Sequence, residues 1–347
     1  MEHSHPPIDV LVNAVGAWNT VRVDQPFQGL QRQGWDVRFH RHPFDLNTAI
    51  RPHSLVIWQR PVPESWEQWR YWLQGIRRRG CLLLVEWDDH PDLFPDEVRQ
   101  RLEQCRNAHL RLAHALQCSS PRLAHSLRAL HHLPLVVENA IDPIPPLNLT
   151  KHSPGQPLRV FLGNLNRLEE HRRMLPGLLQ WLQQEPELQL VSAGPTGLEG
   201  QVPAQRLERH PLLPYADYRR VLASCQLALL PLQRGVPQAC KTPIKWLEAA
   251  AEGTAVVAGP ELYAPWLAAN SRGVWAASPE QVVQEAQRLA ADLPRRQALV
   301  AQAHSAALAH SLPLQLAWRA ELYRHLWRLR NHLDAQLLQQ WPELRQA

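Results

Sequence analysis

The feature that most constrains this chain is an alternation that runs twice. Short apolar runs of strand length alternate with longer amphipathic stretches, and one proline-rich segment interrupts the series. Ile8–Gly16 reads as a buried strand closed by a glycine turn. Trp35–His40, Ser54–Gln59, Cys81–Glu86, Ala115–Ser119 and Leu135–Glu138 follow as strands. Between them Asp24–Gln33, Pro63–Arg79, Pro95–His114 and Pro121–Leu130 read as helices. The apolar core of the fourth strand, Cys81–Val85, is continuous, as expected of a strand buried on both faces.

At Ile141–Pro157 the composition shifts to proline, which fixes φ and removes donors, and the segment reads as a linker. The alternation then resumes. Leu158–Gly163, Leu188–Gly194, Gln226–Pro231 and Thr254–Gly259 read as strands, and Pro313–Leu333 as a last amphipathic helix. Strand and helix alternating on both sides of one joint predict an α/β protein with two doubly wound parallel sheets. Ligands of such sheets bind beyond the C-terminal strand ends, so the expected site is the cleft where the two domains face.

Composition excludes several classes. A length of 347 residues suits two domains, and 45% hydrophobic with 20% charged residues excludes wholesale disorder. No apolar run approaches the roughly 18 residues that span a bilayer. The start shows no secretory pattern, so a cytoplasmic location is expected. Cys81, Cys105, Cys118, Cys225 and Cys240 form no CxxC, which argues for reduced thiols rather than disulfides or a zinc site. The formal charge of +5 permits anionic partners, including nucleotides, nucleic acid and a lipid surface, without choosing among them. No basic cluster with interleaved aromatics favours nucleic acid.

The window Cys240–Gly259, CKTPIKWLEAAAEGTAVVAG, carries the most chemistry. Thr242 suits an N-cap and Pro243 a first helical position, so a helix starts here with free N–H groups that favour an anion. Lys241 lies just before that start and Lys245 one turn inside. Cations at a helix N-terminus are locally unfavourable, a conflict that a bound phosphate would relieve. Glu248 follows about one turn after Ile244, and a carboxylate there can accept both hydroxyls of a ribose. The competing reading is a solvated, alanine-rich surface helix.

At this window the chain resembles the group-1, family-4-like glycosyltransferases of the GT-B fold. Lys241, Ile244, Lys245, Leu247 and Glu248 match the K-x-x-[IL]-K-x-L-E found in a branch of them, and AAAEG with TAVVAG matches the following turn and strand. The first glutamate of the family's Glu-x7-Glu pattern falls at Cys240. FLGNLNR (Phe161–Arg167) resembles the first strand and loop of the donor domain, and VENAID (Val137–Asp142) the opening of the interdomain segment. Gly16, with Arg22 beyond it, resembles the family's first glycine turn under the donor phosphates.

The resemblance implies an N-terminal acceptor domain over residues 1–140, a linker over 141–157, a nucleotide-sugar donor domain over 158–312 and a C-terminal helix within 313–347 that crosses back to the first domain. It implies Gly16, Gly163, Asn166, Arg167, Cys240, Lys241, Thr242, Ile244, Lys245 and Glu248 as donor-binding residues. It implies a UDP-, GDP- or ADP-sugar as donor, a glycan, lipid or other hydroxyl acceptor, stereochemical retention, and no metal or further cofactor. Peripheral attachment at the inner membrane surface stays open. Cys240 in place of glutamate motivates the alternative, a relative that binds a sugar nucleotide or glycan without transferring it.

The sharpest feature of the first half is CLLLVEWDDHPDLF, Cys81–Phe94. Asp88, Asp89 and His90 sit just past a buried strand and are the candidate catalytic residues, able to orient an acceptor hydroxyl or take its proton. The alternatives are a metal site, for which consecutive ligands have poor geometry, and a capping turn.

Overall fold

A computed structural model describes residues 5–13, 16, 19–163 and 167–345. Chain contacts divide it into two compact units. Unit 1 takes Met1–Asn139, Cys240–Thr242 and Leu312–Ala347; unit 2 takes Ala140–Ala239 and Pro243–Ser311.

In unit 1 six strands run parallel: β1 (Ile8–Val12), β2 (Val37–Arg41), β3 (Leu55–Gln59), β4 (Leu82–Trp87), β5 (Ala115–Cys118) and β6 (Pro134–Val136). Their order is β2-β1-β3-β4-β5-β6. β1, β3 and β4 are buried along their whole length, which is why their sequences read as continuous apolar runs. A buried polar residue in that layer needs a partner. Asp9 in β1, for example, accepts from the backbone N–H and Nε of Arg51 at 2.9 and 2.8 Å.

Unit 2 repeats the plan with β7 (Arg159–Leu162), β8 (Gln189–Ala193), β9 (Leu207–His210), β10 (Leu227–Leu230), β11 (Ala255–Ala258) and β12 (Val274–Trp275). Their order is β12-β11-β10-β7-β8-β9, again all parallel. Two doubly wound parallel sheets are therefore present, as the alternation predicts.

The C-terminal segment packs within unit 1 as two helices, Leu312–Arg328 and Arg330–Gln340, where the periodicity predicts one. Gly29, on the helix Gln25–Arg32, makes room for it: a Cβ there would lie 2.6 Å from Leu316 Cδ1. Tyr323 donates its hydroxyl to Gln117 Oε1 on β5 at 2.7 Å. Asp334 accepts from Arg77 Nε and Nη2 at 2.5 and 3.0 Å. His114 Nδ1 already accepts from the backbone of Leu83, so its Nε2 carries the proton and donates to Asp334 at 3.2 Å.

Burial alone would raise the Asp334 carboxyl, but the His114 and Arg77 hydrogen bonds hold it well below the usual carboxylate range. Asp334→Asn should destabilise unit 1 by about 2 kcal/mol at neutral pH, read by urea denaturation. Because the folded-state carboxyl is depressed, its contribution is present above the unfolded value. The gap to wild type should therefore close as pH falls below the ordinary carboxylate range.

The segment Ile141–Pro157 is not a free linker. Ile141 is buried and bonds His310 O at 3.0 Å through its N–H. Lys151 Nζ donates to Ala223 O, Glu252 O and Thr254 Oγ1 at 2.8–3.0 Å, and burial pushes its amine down to about 8. Proline bars this stretch from a ladder, yet side chains and segment ends still staple it onto unit 2. The helix expected over Pro95–His114 is also divided, into Asp96–Gln104 and Ala108–Arg111. Arg106 and Asn107 adopt left-handed backbone between the pieces, and Asn107 tolerates that conformation better than most residues.

Candidate functional site

In unit 1, the residues just past the C-terminal strand ends form a compact charged group. Arg60 follows β3 in a left-handed conformation (φ 45°), which turns the chain out of the sheet. Its Nε donates to Asp88 Oδ1 at 2.5 Å and its Nη2 to Asp89 Oδ2 at 2.9 Å. One guanidinium thus clamps both carboxylates, with its carbon 5.2 Å from the Phe94 ring centroid. Lys241 Nζ reaches Asp89 Oδ1 at 3.3 Å. Ser119, just past β5, donates to the carbonyl of Asp88 at 2.7 Å and fixes the backbone of the turn.

The two carboxylates are driven apart electrostatically. Burial would raise Asp88, but the charge and hydrogen bond of Arg60 win and hold it below its ordinary value. Asp89 is pushed up, first by burial and then by the charge of Asp88, with Lys241 and Arg60 only partly offsetting both. A pair split this way divides its roles: Asp88 is a fixed anion and Asp89 is the group whose proton moves more easily.

His90 has a different job. Its Nδ1 accepts from the Asp92 N–H at 3.3 Å and caps the 3-10 turn Pro91–Leu93. The capping turn expected to stabilise the helix after Pro95 does not form: the helix Asp96–Gln104 starts after Pro95 with no side-chain cap. Behind this group Arg22 is fully buried and meets Glu86 of β4 with both Nε and Nη2, at 2.7 and 3.0 Å. Its Nη1 donates to Val137 O and Asn139 Oδ1 at 2.5 and 3.0 Å. At Gly16 the N–H donates to Asn19 Oδ1 at 2.7 Å, closing the turn after β1.

The segment Cys240–Thr242 also lies in unit 1. Cys240 was expected beside a donor. Its side chain is instead buried in the apolar core of unit 1, and its carbonyl accepts from Ser120 Oγ at 2.6 Å. Thr242 is not the helix cap. Its Oγ1 accepts from Asn139 Nδ2 at 2.9 Å, and the helix begins at Ile244 with Pro243 before it and no side-chain cap. A threonine drawn into a tertiary hydrogen bond leaves the first N–H groups of Ile244–Ala251 without that partner.

In unit 2, Glu248 is buried on that helix and its Oε2 accepts from the Tyr218 hydroxyl at 2.8 Å. Burial raises its carboxyl, while Lys245, one turn before it, and the tyrosine hydroxyls work the other way. Arg167, at the start of the helix Leu168–Gln184, is buried with its Nε 3.9 Å from Glu170 Oε1. The same Glu170 oxygen accepts from Gln233 N at 3.1 Å, so a loop past β10 is tied to this point. Gly163 is required by its own sheet: a Cβ there would lie 2.8 Å from Leu229 O. Asn166 lies outside the described residues.

Arg60 and Tyr218 are the partners that sequence reasoning missed. Their only trace was position, an arginine closing a strand and a tyrosine in the helix before β10. Among the described residues no group of three or more His, Cys, Asp or Glu is placed to hold a metal ion, and no helix is long and apolar enough to cross a membrane.

Residues 172–319 match the family described as "Glycosyl transferase-like". No curated protein matches the sequence significantly. Among solved structures, sucrose-phosphate synthase from Thermosynechococcus elongatus is similar with a TM-score of 0.66 at 15% identity, over 93% of this chain and 100% of that one. HepE of Anabaena, in complex with UDP and glucose, gives 0.66 at 14%, over 92% and 99%. A glycosyltransferase from Rickettsia africae gives 0.62 at 10%, over 93% and 99%. At these identities the likeness establishes the fold, which is GT-B. Residues 172–319 are thus similar to a glycosyl transferase-like family, within a chain whose fold is GT-B.

Proposed function

We propose that the protein moves a sugar from a nucleoside-diphosphate sugar to a hydroxyl of a glycan or lipid-linked acceptor, with retention and without a metal. The observation that carries this is the helix Ile244–Ala251, which starts without a side-chain cap and sets Lys245 one turn before the buried carboxylate of Glu248. The leaving diphosphate gains negative charge as the glycosidic bond breaks, and Lys245, Arg167 and the helix N–H groups answer that charge. Glu248 accepts from the ribose hydroxyls with the oxygen that Tyr218 leaves over.

HepE, of the same fold, binds UDP-glucose, which supports a UDP-sugar as donor. On the acceptor side Asp89, with its raised carboxyl, orients the attacking hydroxyl, while Asp88 and Arg60 hold it in place. Lys241 modulates Asp89 from 3.3 Å. The non-transferring alternative rests on Cys240. Its side chain lies in a core where a glutamate would be an unpaired buried charge, so Cys240→Glu should cost stability rather than restore function.

The test is a thermal-shift panel of UDP, GDP and ADP with duplex DNA as control. One nucleoside diphosphate at about 100 times its dissociation constant should add roughly 2.7 kcal/mol, a rise of a few degrees, and DNA none. No shift with any of the three would remove the donor assignment.

A further inference from the structure

The charged turn at Asp88 and Asp89 lies past the C-terminal strand ends of unit 1. The opposite end of the same sheet holds a separate cavity of about 340 Å³. Pro6 and Pro7, which lead into β1, and His53, which precedes β3, form one wall. Arg324, Trp327 and Arg328 of the helix Leu312–Arg328 form the other, and His5 completes the lining. Three stretches distant in the sequence thus converge on one space. Among the described residues no carboxylate lines it.

The cationic wall is held in place. His5 stacks on Trp35 with ring centroids 4.3 Å apart and 9° between the planes. The Arg324 guanidinium lies over the same Trp35 ring at 5.4 Å, and its Nε donates to His5 Nδ1 at 3.0 Å. By accepting that bond His5 acts as a spacer that fixes the guanidinium. Glu321 takes Nη1 of Arg324 and leaves the Nη2 edge. Arg328, one turn on, makes no ion pair or hydrogen bond among the described residues. Arg330 adds a further positive charge nearby, its guanidinium carbon 4.8 Å from the Trp327 ring centroid. His53 enters from a left-handed backbone (φ 55°), fixed by its N–H bond to Arg79 O at 2.8 Å.

This arrangement carries a cost that a ligand would remove. Arg324 and Arg328 stand at i and i+4, where like charges repel. The last turn of a helix favours cations. That preference does not require two of them to converge with a histidine on a cavity without a carboxylate. A bound anion would offset the repulsion. A carboxylate offers two oxygens, which one guanidinium satisfies. A phosphate monoester offers three terminal oxygens and nearly two charges, which match two guanidiniums and an imidazole. The volume is at the low end for small-molecule pockets, and the proline and indole surfaces suit a short organic body on the phosphate.

We propose that this cavity binds a phosphate monoester, carried by a small soluble molecule or by a lipid headgroup. It stands apart from the function proposed above and does not rest on it. The experiment is calorimetric titration of the whole chain with glycerol 3-phosphate, with glycerol as the uncharged control. In parallel the chain is sedimented with phosphatidylcholine vesicles containing phosphatidic acid, a monoester, or phosphatidylglycerol, a diester of lower charge. Binding of glycerol 3-phosphate without vesicle retention assigns a soluble ligand, and selective retention by phosphatidic acid assigns a headgroup. Arg328→Gln and Arg324→Gln should each weaken the binding by about tenfold or more, with the UDP response unchanged. Lys245→Ala should leave it intact, which separates this cavity from a diphosphate site in unit 2.

Arg328→Gln changes an exposed residue and keeps the test valid if Arg324→Gln, whose side chain packs on Trp35, perturbs folding. Failure of both monoesters to bind overturns the proposal. So does binding indifferent to Arg328→Gln, equal retention by phosphatidylglycerol, or short duplex DNA that binds more tightly than either monoester. A chain that binds the monoester but no nucleoside diphosphate would fault the donor reading and leave this one standing.

Discussion

Glu248→Gln should lower kcat/KM for a UDP-sugar by at least ~10-fold, the worth of one or two hydrogen bonds to a charged group. Glutamine is the informative substitution. It still offers an oxygen to the Tyr218 hydroxyl, which sits 2.8 Å from Glu248 Oε2, so the helix Ile244–Ala251 keeps its packing. What it removes is the charge and one acceptor. Glu248→Ala would remove both and also strand a buried hydroxyl, mixing a folding defect with a functional one.

The pH profile gives a second readout. Burial raises the Glu248 carboxyl, so the acid limb of the wild-type profile should lie above the ordinary carboxylate range. That limb should vanish in Glu248→Gln, which does not titrate. Lys245→Ala should lower the rate tenfold or more by removing a charge from the diphosphate. Unchanged rates in both variants would sink the donor assignment.

What was legible in the sequence follows from which forces act locally. Strands buried on both faces announce themselves as apolar runs, and β1, β3 and β4 did so. β9 did not. It is an edge strand, Leu-Glu-Arg-His, whose polar side chains reach water, and its pattern differs little from a loop. The start of the helix at Ile244 was misplaced because capping propensity is local, whereas Thr242 was claimed by Asn139, distant in the chain.

The acidic turn shows the same divide. Asp88 and Asp89 could be picked out because they follow a strand that reads plainly as buried. Nothing in their spacing could say that Arg60 clamps both, or that burial and the charge of Asp88 raise Asp89 while Arg60 holds Asp88 down. Lysine patterning was legible only in part. Lys151, one of three lysines in the chain, is a buried staple that holds the proline-rich segment.

The largest stability effect should come from Arg22→Ala, which is expected to destabilise unit 1 by about 3–5 kcal/mol. The substitution leaves Glu86, 1% exposed, without its bidentate partner, and also strips the acceptors Val137 O and Asn139 Oδ1. In the wild type the pair is charged. Arg22 stays above its ordinary value although burial works against it, because Glu86 holds the proton on, and the two parallel contacts at 2.7 and 3.0 Å are those of guanidinium on carboxylate.

The other charges that act on Glu86 are Asp88, which raises it, and Arg319, which lowers it. Arg319 is itself buried and pushed down by burial, so it is a weak substitute for Arg22. Burial already raises the Glu86 carboxyl with Arg22 in place, so in Arg22→Ala it should titrate higher still. Such a group costs nothing below the ordinary carboxylate range, where it is protonated in both states, and its cost grows as pH rises through the elevated value.

The deficit of Arg22→Ala, measured by urea denaturation, should thus be smaller near about pH 5 than near about pH 8. Adding Glu86→Gln should recover part of it at the higher pH by replacing a buried charge with a neutral amide. A deficit below about 1 kcal/mol, or one that ignores both pH and Glu86→Gln, would mean that Arg22 acts only by filling space.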